Sequence, residues 1–337
     1  MKKNKILYIG NNLTQKTKYN STMTVLSSLL SKEGYVVKVS SDKLNKISRL
    51  LDMFSTTLKH RNKVDYVLID TYSTINFYYA FLIAQLARIF HLKYIPILHG
   101  GNLPERISKS NILSNLLFKN SYKNIAPSHY LKDEFEKKGY QTTMIPNILE
   151  VDNYVYRERK EINPKLFWVR AFKEIYNPTL AIHVLKLVKK EYPKAILCMI
   201  GPFVDDSYPK TLALLKEYKL EDSVEFTDVL LKETWHKKSV DYDIFINTTN
   251  FDNTPVSVME AMALGLPVVS TNVGGIPYLI ENKKDGLLVN KEKPKEMAAA
   301  IIEVLQGKHP NLAIEARKKV EGFSWGANKD KWFKILT

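Results

Sequence analysis

The sequence predicts an α/β protein made of two doubly wound, parallel-sheet domains of Rossmann-like type that face each other across a cleft. At 337 residues, the chain is too long for one ordinary core and about right for two. Short apolar strand segments alternate with segments of helical periodicity, which is typical of a parallel sheet covered by helices on both faces. The alternation restarts after a polar stretch at residues 149–165, so the pattern occurs twice.

The first series of elements occupies the N-terminal part of the chain. Strands are expected at 6–9, 36–39, 67–69, 94–98 and 124–127, and helices at 22–30, 75–90 and 128–138. Gly34 and Gly139 follow two of these helices, in the position where glycine commonly ends a helix. Pro146 and Asn147 close the series, and the predicted N-terminal domain is therefore 1–148.

The second series follows the polar stretch. Strands are expected at 167–169, 196–200, 224–226, 244–246 and 267–271, and helices at 180–190, 255–264 and 295–306. Ligands bind parallel sheets of this kind outside the carboxyl ends of the strands. The predicted C-terminal domain is 149–325, and a site is expected where its strands end.

The charge is unevenly distributed along the chain. The net charge is +15. Residues 1–150 contain 22 Lys and Arg against 10 Asp and Glu, a balance of +12, whereas the remainder contains 28 against 25, a balance of +3. This asymmetry indicates an acidic partner on one side, such as nucleic acid, an anionic membrane or a phosphate-bearing acceptor. An AT-rich genome that favours lysine explains the same charge without a partner.

Cysteine usage and apolar content exclude several protein classes. Cys198 is the single cysteine, so a disulfide framework or a cysteine metal cluster is excluded. The apolar run 6–9 is too short for a secretory signal. The stretch 75–87 is shorter than the about 20 residues that a membrane span needs, and it predicts a buried helix. We therefore expect a cytoplasmic protein.

The most informative segment is 247–271, in which a strand leads through a polar loop into a helix. Thr254 is expected to cap this helix, with its first turn beginning at Pro255. The free amides near Val256 and Ser257 would then bind an anion such as a phosphate without any metal.

Two carboxylates belong to this segment. Asp252 is in the loop, and Glu260 follows it by eight positions in the helix. Carboxylates accept hydrogen bonds from hydroxyls, which suits a sugar and a ribose. A solvated loop acid and an unrelated helix carboxylate would have the same spacing, so the spacing alone leaves both interpretations open.

A longer pattern surrounds the two acids. Residues 260–269 are E-A-M-A-L-G-L-P-V-V, a V-G-G turn follows at 273–275, and D-G-L-L-V occupies 285–289. Further marks are His99-Gly100-Gly101, Ser128, Pro146-Asn147, Arg170 and the F-S-W sequence at 323–325. Together they resemble glycosyltransferase family 4, the group 1 glycosyl transferases, which are retaining enzymes of the GT-B fold. The acidic pair is D-x7-E here, where the family has E-x7-E.

The resemblance implies a nucleotide-sugar donor site in the C-terminal domain. Glu260 would bind the ribose hydroxyls, Asp252 the hydroxyls of the donor sugar, and Arg170 the diphosphate. Lys173 is the nearest substitute for a lysine that the family carries close by. The implied donor-binding residues are Arg170, Lys173, Gly201, Asn253, Thr254, Pro255, Val256, Ser257 and Glu260.

The resemblance also implies an acceptor side in the N-terminal domain. His99 would contact the donor sugar near the reacting carbon, which makes His99, Asp252 and Glu260 the expected catalytic set. The expected acceptor-side residues are Gly10, Asn11, Gly100, Gly101, Asn102 and Arg106. The last helix, at about 326–337, is expected to cross back to this domain.

The expected function is the transfer of a sugar from a UDP- or GDP-sugar, with retention of configuration, in cell-surface polysaccharide synthesis. No metal or other cofactor is expected. The acceptor would be a glycan or a lipid-linked molecule, and the basic Lys2, Lys3, Lys5 and their neighbours would contact the anionic inner face of the membrane. Two alternatives stay open, namely a GT-B sugar-nucleotide epimerase and a non-catalytic protein that binds nucleotide-sugars or glycans. Nucleic acid is not expected as a partner, because no aromatic–basic interleaving accompanies the charge.

Overall fold

The computed structural model describes residues 3–12 and 21–337. They form two compact domains, an N-terminal domain of Met1–Ile148 with Trp325–Thr337 and a C-terminal domain of Leu149–Ser324. Each domain contains a six-stranded parallel sheet with hydrophobic cores, and helices, on both of its faces. The predicted α/β class with two doubly wound sheets is therefore confirmed.

The N-terminal domain winds its strands outward from β1. Its strands are β1 (Lys5–Ile9), β2 (Val36–Ser40), β3 (Tyr66–Thr71), β4 (Lys93–Leu98), β5 (Asn124–Ala126) and β6 (Thr142–Met144). Its helices are α1 (Thr22–Lys32), α2 (Lys46–His60), α3 (Asn76–Ile89), α4 (Leu103–Lys109), α5 (Asn111–Phe118), α6 (His129–Lys137) and, from the end of the chain, α14 (Trp325–Ile335). The strand order is β2-β1-β3-β4-β5-β6.

Alternate residues of β1 point to opposite faces of this sheet, as in any strand. Leu7 and Ile9 belong to the core that helices α2 to α6 cover. Ile6 and Tyr8 belong to the second core, which α1 and α14 cover. Trp332 of α14 is buried in that second core, so the last helix packs within the N-terminal domain.

The C-terminal domain repeats the architecture. Its strands are β7 (Lys165–Val169), β8 (Ile196–Ile200), β9 (Val224–Thr227), β10 (Ile244–Asn247), β11 (Val268–Thr271) and β12 (Leu287–Val289). Its helices are α7 (Pro178–Val188), α8 (Ser207–Glu217), α9 (Lys232–Lys238), α10 (Val256–Ala263), α11 (Ile276–Leu279), α12 (Pro294–Leu305) and α13 (Leu312–Glu321). Read from β9, the order β9-β8-β7-β10-β11-β12 is the dinucleotide-fold order 3-2-1-4-5-6.

The structure contains helices that were not predicted from the sequence, among them α2. The Asn45 side chain caps α2 by accepting hydrogen bonds from the amides of Ile47 and Ser48, at 2.9 and 3.1 Å. Ile47, Leu51 and Phe54 have the helical spacing i, i+4 and i+7, but they are exposed, so this apolar stripe is not the side of the helix that packs on the core. Among the described helices, none is long and apolar enough to cross a membrane.

Each sheet reverses its winding beside its first strand. In the N-terminal domain β2 and β3 flank β1, and in the C-terminal domain β8 and β10 flank β7. The loops that leave the two flanking strands diverge at such a switch point and leave room for a ligand. Gly10, which follows β1, and Arg170, which follows β7, therefore mark the places where each sheet can bind a ligand.

Candidate functional site

Two oppositely charged side chains meet at the switch point of the C-terminal sheet. Arg170 follows β7, Asp252 lies in the loop after β10, and the guanidinium and carboxylate form an ion pair. Each side chain is only 17% exposed. The guanidinium also lies over the ring of Tyr176, 4.6 Å from its centroid. Burial lowers the pKa of Arg170, whereas Tyr176 and Glu260 raise it, so the site favours additional negative charge.

Backbone contacts fix the position of Asp252. Its Oδ1 accepts a hydrogen bond from the Asn253 amide at 2.8 Å. Its carbonyl oxygen accepts one from the amide of Gly275, in the V-G-G turn, at 2.9 Å. The turn after β11 therefore supports the loop that carries the first acid of the predicted pair.

The start of α10 differs from the expected geometry at one residue. Pro255 occupies the N-cap position, and no side chain caps the helix. The expected cap by Thr254 is wrong, because the constrained backbone of Pro255 is already the non-helical flank. The buried hydroxyls of Thr254 and Ser257 have no hydrogen-bond partner among the described residues. The backbone amides of Val256 and Ser257 lie in the first turn, where the helix has no carbonyl acceptor for them. They are therefore available as hydrogen-bond donors to a ligand.

Glu260, the second acid, lies in α10 and is buried, with 6% of the residue exposed. Its Oε1 accepts a hydrogen bond from the Tyr154 hydroxyl at 2.9 Å. The same oxygen forms an ion pair with Lys232 Nζ, at 2.7 Å. Burial raises the pKa of this carboxyl, while Lys232, Tyr154 and Arg170 act in the opposite direction. Because both partners use Oε1, Oε2 retains acceptor capacity for a ligand hydroxyl.

Sequence reasoning missed both partners of Glu260. Lys232 is one of three lysines in the seven-residue helix α9, and nothing in the sequence distinguishes it from the other two. Tyr154 lies in the polar stretch after the first domain and is 106 positions from Glu260. Tyr154 also contacts the ring of His236, whose pKa burial and Lys232 lower to about 4. His236 is therefore neutral near pH 7.

Two other expected donor residues have different surroundings. Gly201 has φ +150° and packs against the backbone of Arg170, where an added Cβ atom would overlap the Arg170 carbonyl. It therefore allows the loop after β8 to approach the switch point. Lys173, in contrast, is exposed and interacts electrostatically with Asp205, and no contact with Asp252 or Glu260 is found among the described residues. The structure thus does not bring Lys173 to the two acids.

A second polar cluster lies at the switch point of the N-terminal sheet. Asp70, at the end of β3, accepts hydrogen bonds through Oδ1 from the Tyr8 hydroxyl and from His99 Nε2, both at 2.9 Å. The His99 ring stacks on Tyr72, with centroids 5.0 Å apart. A Cβ atom at Gly10 would lie 2.5 Å from Asp70 Oδ2, so only glycine fits beside this carboxylate. Burial raises the pKa values of Tyr8 and Tyr72, which keeps both hydroxyls protonated.

The remaining acceptor-side residues surround this cluster to different degrees. Asn11 accepts a hydrogen bond from Arg49 at 3.0 Å. Gly100 has φ +86°, and after Gly101 the chain continues into the exposed Asn102 that precedes α4. Arg106 Nε donates a hydrogen bond to the Ser73 carbonyl at 2.7 Å, so this nitrogen already has a partner within the protein.

The chemistry available at the two switch points is binding through carboxylates, cations and amides. Among residues 3–12 and 21–337, no three His, Cys, Asp or Glu side chains are grouped so that they could hold a metal ion. The groups that could bind an anionic ligand at the C-terminal switch point are Arg170, Lys232 beside Glu260, and the amides at the start of α10.

Residues 156–321 match the family described as "Glycosyl transferases group 1". Two similar curated proteins are the amylovoran biosynthesis glycosyltransferase AmsK of Erwinia amylovora and the putative colanic acid biosynthesis glycosyltransferase WcaL of Salmonella typhimurium. The first is 40% identical over 74 residues, which are 21% of this chain and 18% of AmsK. The second is 38% identical over 89 residues, 24% of this chain and 22% of WcaL. The matched stretches thus span about a fifth of these relatives.

The fold is also that of solved structures along nearly its whole length. Sucrose-phosphate synthase from Thermosynechococcus elongatus aligns with a TM-score of 0.83 at 15% identity, covering 98% of both chains. Alr3699/HepE from Anabaena, solved in complex with UDP-glucose, aligns with a TM-score of 0.79 at 18% identity, covering 99% of both chains. At these identities the likeness concerns the fold, which is GT-B.

Proposed function

We propose that the chain, whose residues 156–321 match the group 1 glycosyl transferases, is a member of that family and transfers a sugar from a UDP-sugar to a glycan or lipid-linked acceptor with retention of anomeric configuration. The proposal depends chiefly on one observation. At the C-terminal switch point, two half-buried or buried acids, Asp252 and Glu260, each have a cationic partner, Arg170 and Lys232. This arrangement provides both the hydroxyl acceptors and the positive charge that a sugar diphosphate needs.

Binding of the donor would exchange partners at Arg170. A diphosphate accepts bidentate hydrogen bonds from a guanidinium, and Arg170 Nε has no hydrogen-bond partner among the described residues. When the diphosphate takes the guanidinium, the carboxylate of Asp252 becomes free to accept hydrogen bonds from the hydroxyls of the donor sugar. Sugar binding at Asp252 would therefore follow from diphosphate binding at Arg170.

Glu260 would orient the ribose while Lys232 supplies a second cation. Tyr154 and Lys232 hold the carboxylate through Oε1, which leaves Oε2 for a ribose hydroxyl. Lys232 lies beside Glu260, whereas Lys173 is exposed and interacts with Asp205. We therefore assign the diphosphate-binding lysine to position 232.

Cleavage of the anomeric C–O bond builds negative charge on the departing diphosphate, through an oxocarbenium-like state at the sugar. Arg170, Lys232 and the amides of Val256 and Ser257 would stabilise that charge as it develops. Attack by the acceptor hydroxyl on the same face retains the configuration, and the proton of that hydroxyl passes to the leaving phosphate. His99 of the N-terminal domain, fixed by Asp70, would contact the sugar near the reacting carbon.

The names of similar proteins support the choice of donor and pathway. Alr3699/HepE was solved with UDP-glucose, which favours a UDP-sugar over a GDP-sugar here. AmsK and WcaL are named for amylovoran and colanic acid biosynthesis, which supports a role in polysaccharide synthesis. A screen of UDP-sugars by calorimetry identifies the donor sugar.

Calorimetry and a turnover assay together test the proposal. Purified protein should bind UDP in preference to GDP, and Glu260→Ala should weaken UDP binding, while Glu191→Ala, an exposed acid on the surface of the same domain, should not. With a UDP-sugar, release of UDP should depend on a glycan or lipid-linked acceptor. Acceptor-independent conversion of the sugar would indicate an epimerase instead, and binding without any turnover would indicate a non-catalytic protein. Salt-sensitive binding to DNA without binding to UDP would contradict the family assignment of the site.

A further inference from the structure

The outer face of one helical layer in the N-terminal domain is apolar. On α2, Ile47, Leu51 and Phe54 are 72%, 64% and 38% exposed. They are spaced i, i+4 and i+7, so they form one stripe along the helix. A different side of α2 contributes Met53 to the core of the domain. This helix is therefore apolar on two sides, only one of which the fold buries.

The neighbouring helices also expose large apolar side chains. Helix α2 packs against α3, and α3 packs against α5. Tyr78 and Leu82 of α3 and Ile112 of α5 are exposed, and with the three residues of α2 we call them the apolar face. Among the described residues of this domain, ten of the twelve exposed large apolar side chains lie on these three helices or within two residues of them. The exposed apolar surface is thus concentrated on one layer.

Positive charge surrounds the same layer. By sequence, the N-terminal domain contains 25 Lys and Arg against 10 Asp and Glu, a net charge of +15, while the C-terminal domain has 25 of each. The segments that carry α2, α3 and α4–α5, residues 43–63, 75–92 and 103–123, contain 11 basic residues against 2 acidic ones. Lys46, Lys59 and Lys119 are exposed members of this set.

We propose that the apolar face lies on the surface of an anionic lipid bilayer. An interfacial helix inserts apolar side chains among the headgroups while flanking Lys and Arg bind anionic lipid, and both features occur together here. A second copy of this face would bring the same positive charge, so self-association is disfavoured. Nucleic acid would bind the charge but would not use the apolar side chains.

This assignment replaces the N-terminal lysines as the membrane contact. Lys3 lies over the rings of Tyr35 and Phe333, on the side of the sheet that α1 and α14 cover. Lys5 precedes the buried part of β1, and Lys2 is outside the described residues. The layer of α2, α3 and α5 covers the other face of that sheet.

Two of these helices, α2 and α3, also line the pocket at the N-terminal switch point. Met53 of α2 and Tyr79 and Ala80 of α3 line it together with Gly10 and Asp70. If the proposed transfer to a lipid-linked acceptor is correct, helices that rest on the bilayer would also border the place where that acceptor binds. The docking surface itself does not depend on the transfer reaction.

Co-sedimentation of the full chain with vesicles tests the docking surface. The protein should bind phosphatidylglycerol–phosphatidylcholine vesicles and not pure phosphatidylcholine vesicles, and high salt should weaken the binding. The triple variant Ile47→Gln, Leu51→Gln and Phe54→Gln should lose about 100-fold in vesicle partitioning, because three inserted side chains are removed. A matched variant, Val155→Gln, Val240→Gln and Ile314→Gln, replaces exposed apolar residues of the C-terminal domain and should bind vesicles as the wild type does.

Circular dichroism and UDP calorimetry should be unchanged in both triple variants, which separates docking from folding and from the donor site. Equal vesicle binding by the wild type and the α2 variant would overturn the proposal, as would absence of binding to anionic vesicles. Sedimentation velocity supplies a second decisive result. A dimer that the α2 substitutions dissolve would show that the face binds another copy of the chain rather than lipid.

Discussion

Arg170 and Asp252 pair across the switch point of the C-terminal sheet, one at the end of β7 and the other in the loop after β10. Both side chains are 17% exposed, so neither is fully solvated when the other is removed. A half-buried ion pair of this kind contributes little to the free energy of unfolding, because the cost of desolvating the two charges offsets much of their attraction. We interpret it as a preformed anion site whose counter-ion is held by the protein until the donor arrives.

Replacing Arg170 should weaken diphosphate binding. Arg170→Ala removes charged hydrogen bonds that contribute about 1.5–3 kcal/mol, so the Kd for UDP should rise about 10- to 100-fold. Calorimetry measures the change, with the exposed Arg88→Ala in the other domain as control. An unchanged Kd would remove Arg170 from the site.

Replacing Asp252 should separate the nucleotide from the sugar. Asp252→Asn releases Arg170 from its ion pair, so UDP should bind as tightly as in the wild type or more tightly. The affinity for the UDP-sugar should fall relative to that for UDP, because the carboxylate that would bind the sugar hydroxyls is absent. Competition titrations of UDP against the UDP-sugar measure the difference, and a parallel loss for both ligands would contradict the exchange of partners.

Glu260 should destabilise the protein increasingly as the pH rises, because burial raises the pKa of its carboxyl. Burial raises the pKa of its carboxyl above the ordinary value of 4.5, so its contribution to stability is full below that value and is lost as the pH rises through the folded-state pKa. Gln at this position does not titrate. The melting temperature of Glu260→Gln should therefore rise relative to that of the wild type as the pH increases above about 4.5, while UDP binding weakens. A difference that shrinks with rising pH would show that Lys232 outweighs burial.

Lys232 and Lys173 should respond differently to the same substitution. Lys232→Ala removes the cation 2.7 Å from Glu260, so the KM for the donor should rise about tenfold or more. Lys173→Ala removes an exposed side chain and should leave the KM unchanged. Steady-state kinetics with the donor as the varied substrate compares them, and the reverse ranking would return the diphosphate role to Lys173.

Asp70 should act through His99. Asp70→Asn keeps the size but weakens the hydrogen bonds that Tyr8 and His99 make to the buried carboxylate, which should cost about 1–3 kcal/mol of unfolding free energy. Tyr8→Phe removes one of these bonds and should cost less. Urea denaturation measures both. In turnover assays Asp70→Asn should lower kcat and shift its pH profile while the Kd for UDP stays constant, whereas a purely structural role would leave the profile in place.

Much of the architecture was predictable from short stretches of the sequence. Apolar strand segments such as the one ending at Gly10 and the helix that Gly139 ends were evident from periodicity and from glycine position, because these signals act within a few residues. The E-A-M-A-L-G-L-P-V-V segment at 260–269 was equally local, and it carried the resemblance to the family that residues 156–321 match. Helix α2 was not predicted, although Ile47, Leu51 and Phe54 have helical spacing, and only the tertiary structure shows that this stripe is exposed.

The partners of the functional residues were decided by tertiary structure. Tyr154 and Lys232 converge on Glu260, and Asp70 binds His99, because strand order brings distant loops to one edge of each sheet. The sequence gives the charge of a side chain. Its burial and its counter-ion depend on which loops the fold brings next to it. That is why the two acids were predictable, whereas the cation beside the second one became visible only after the sheets were assembled.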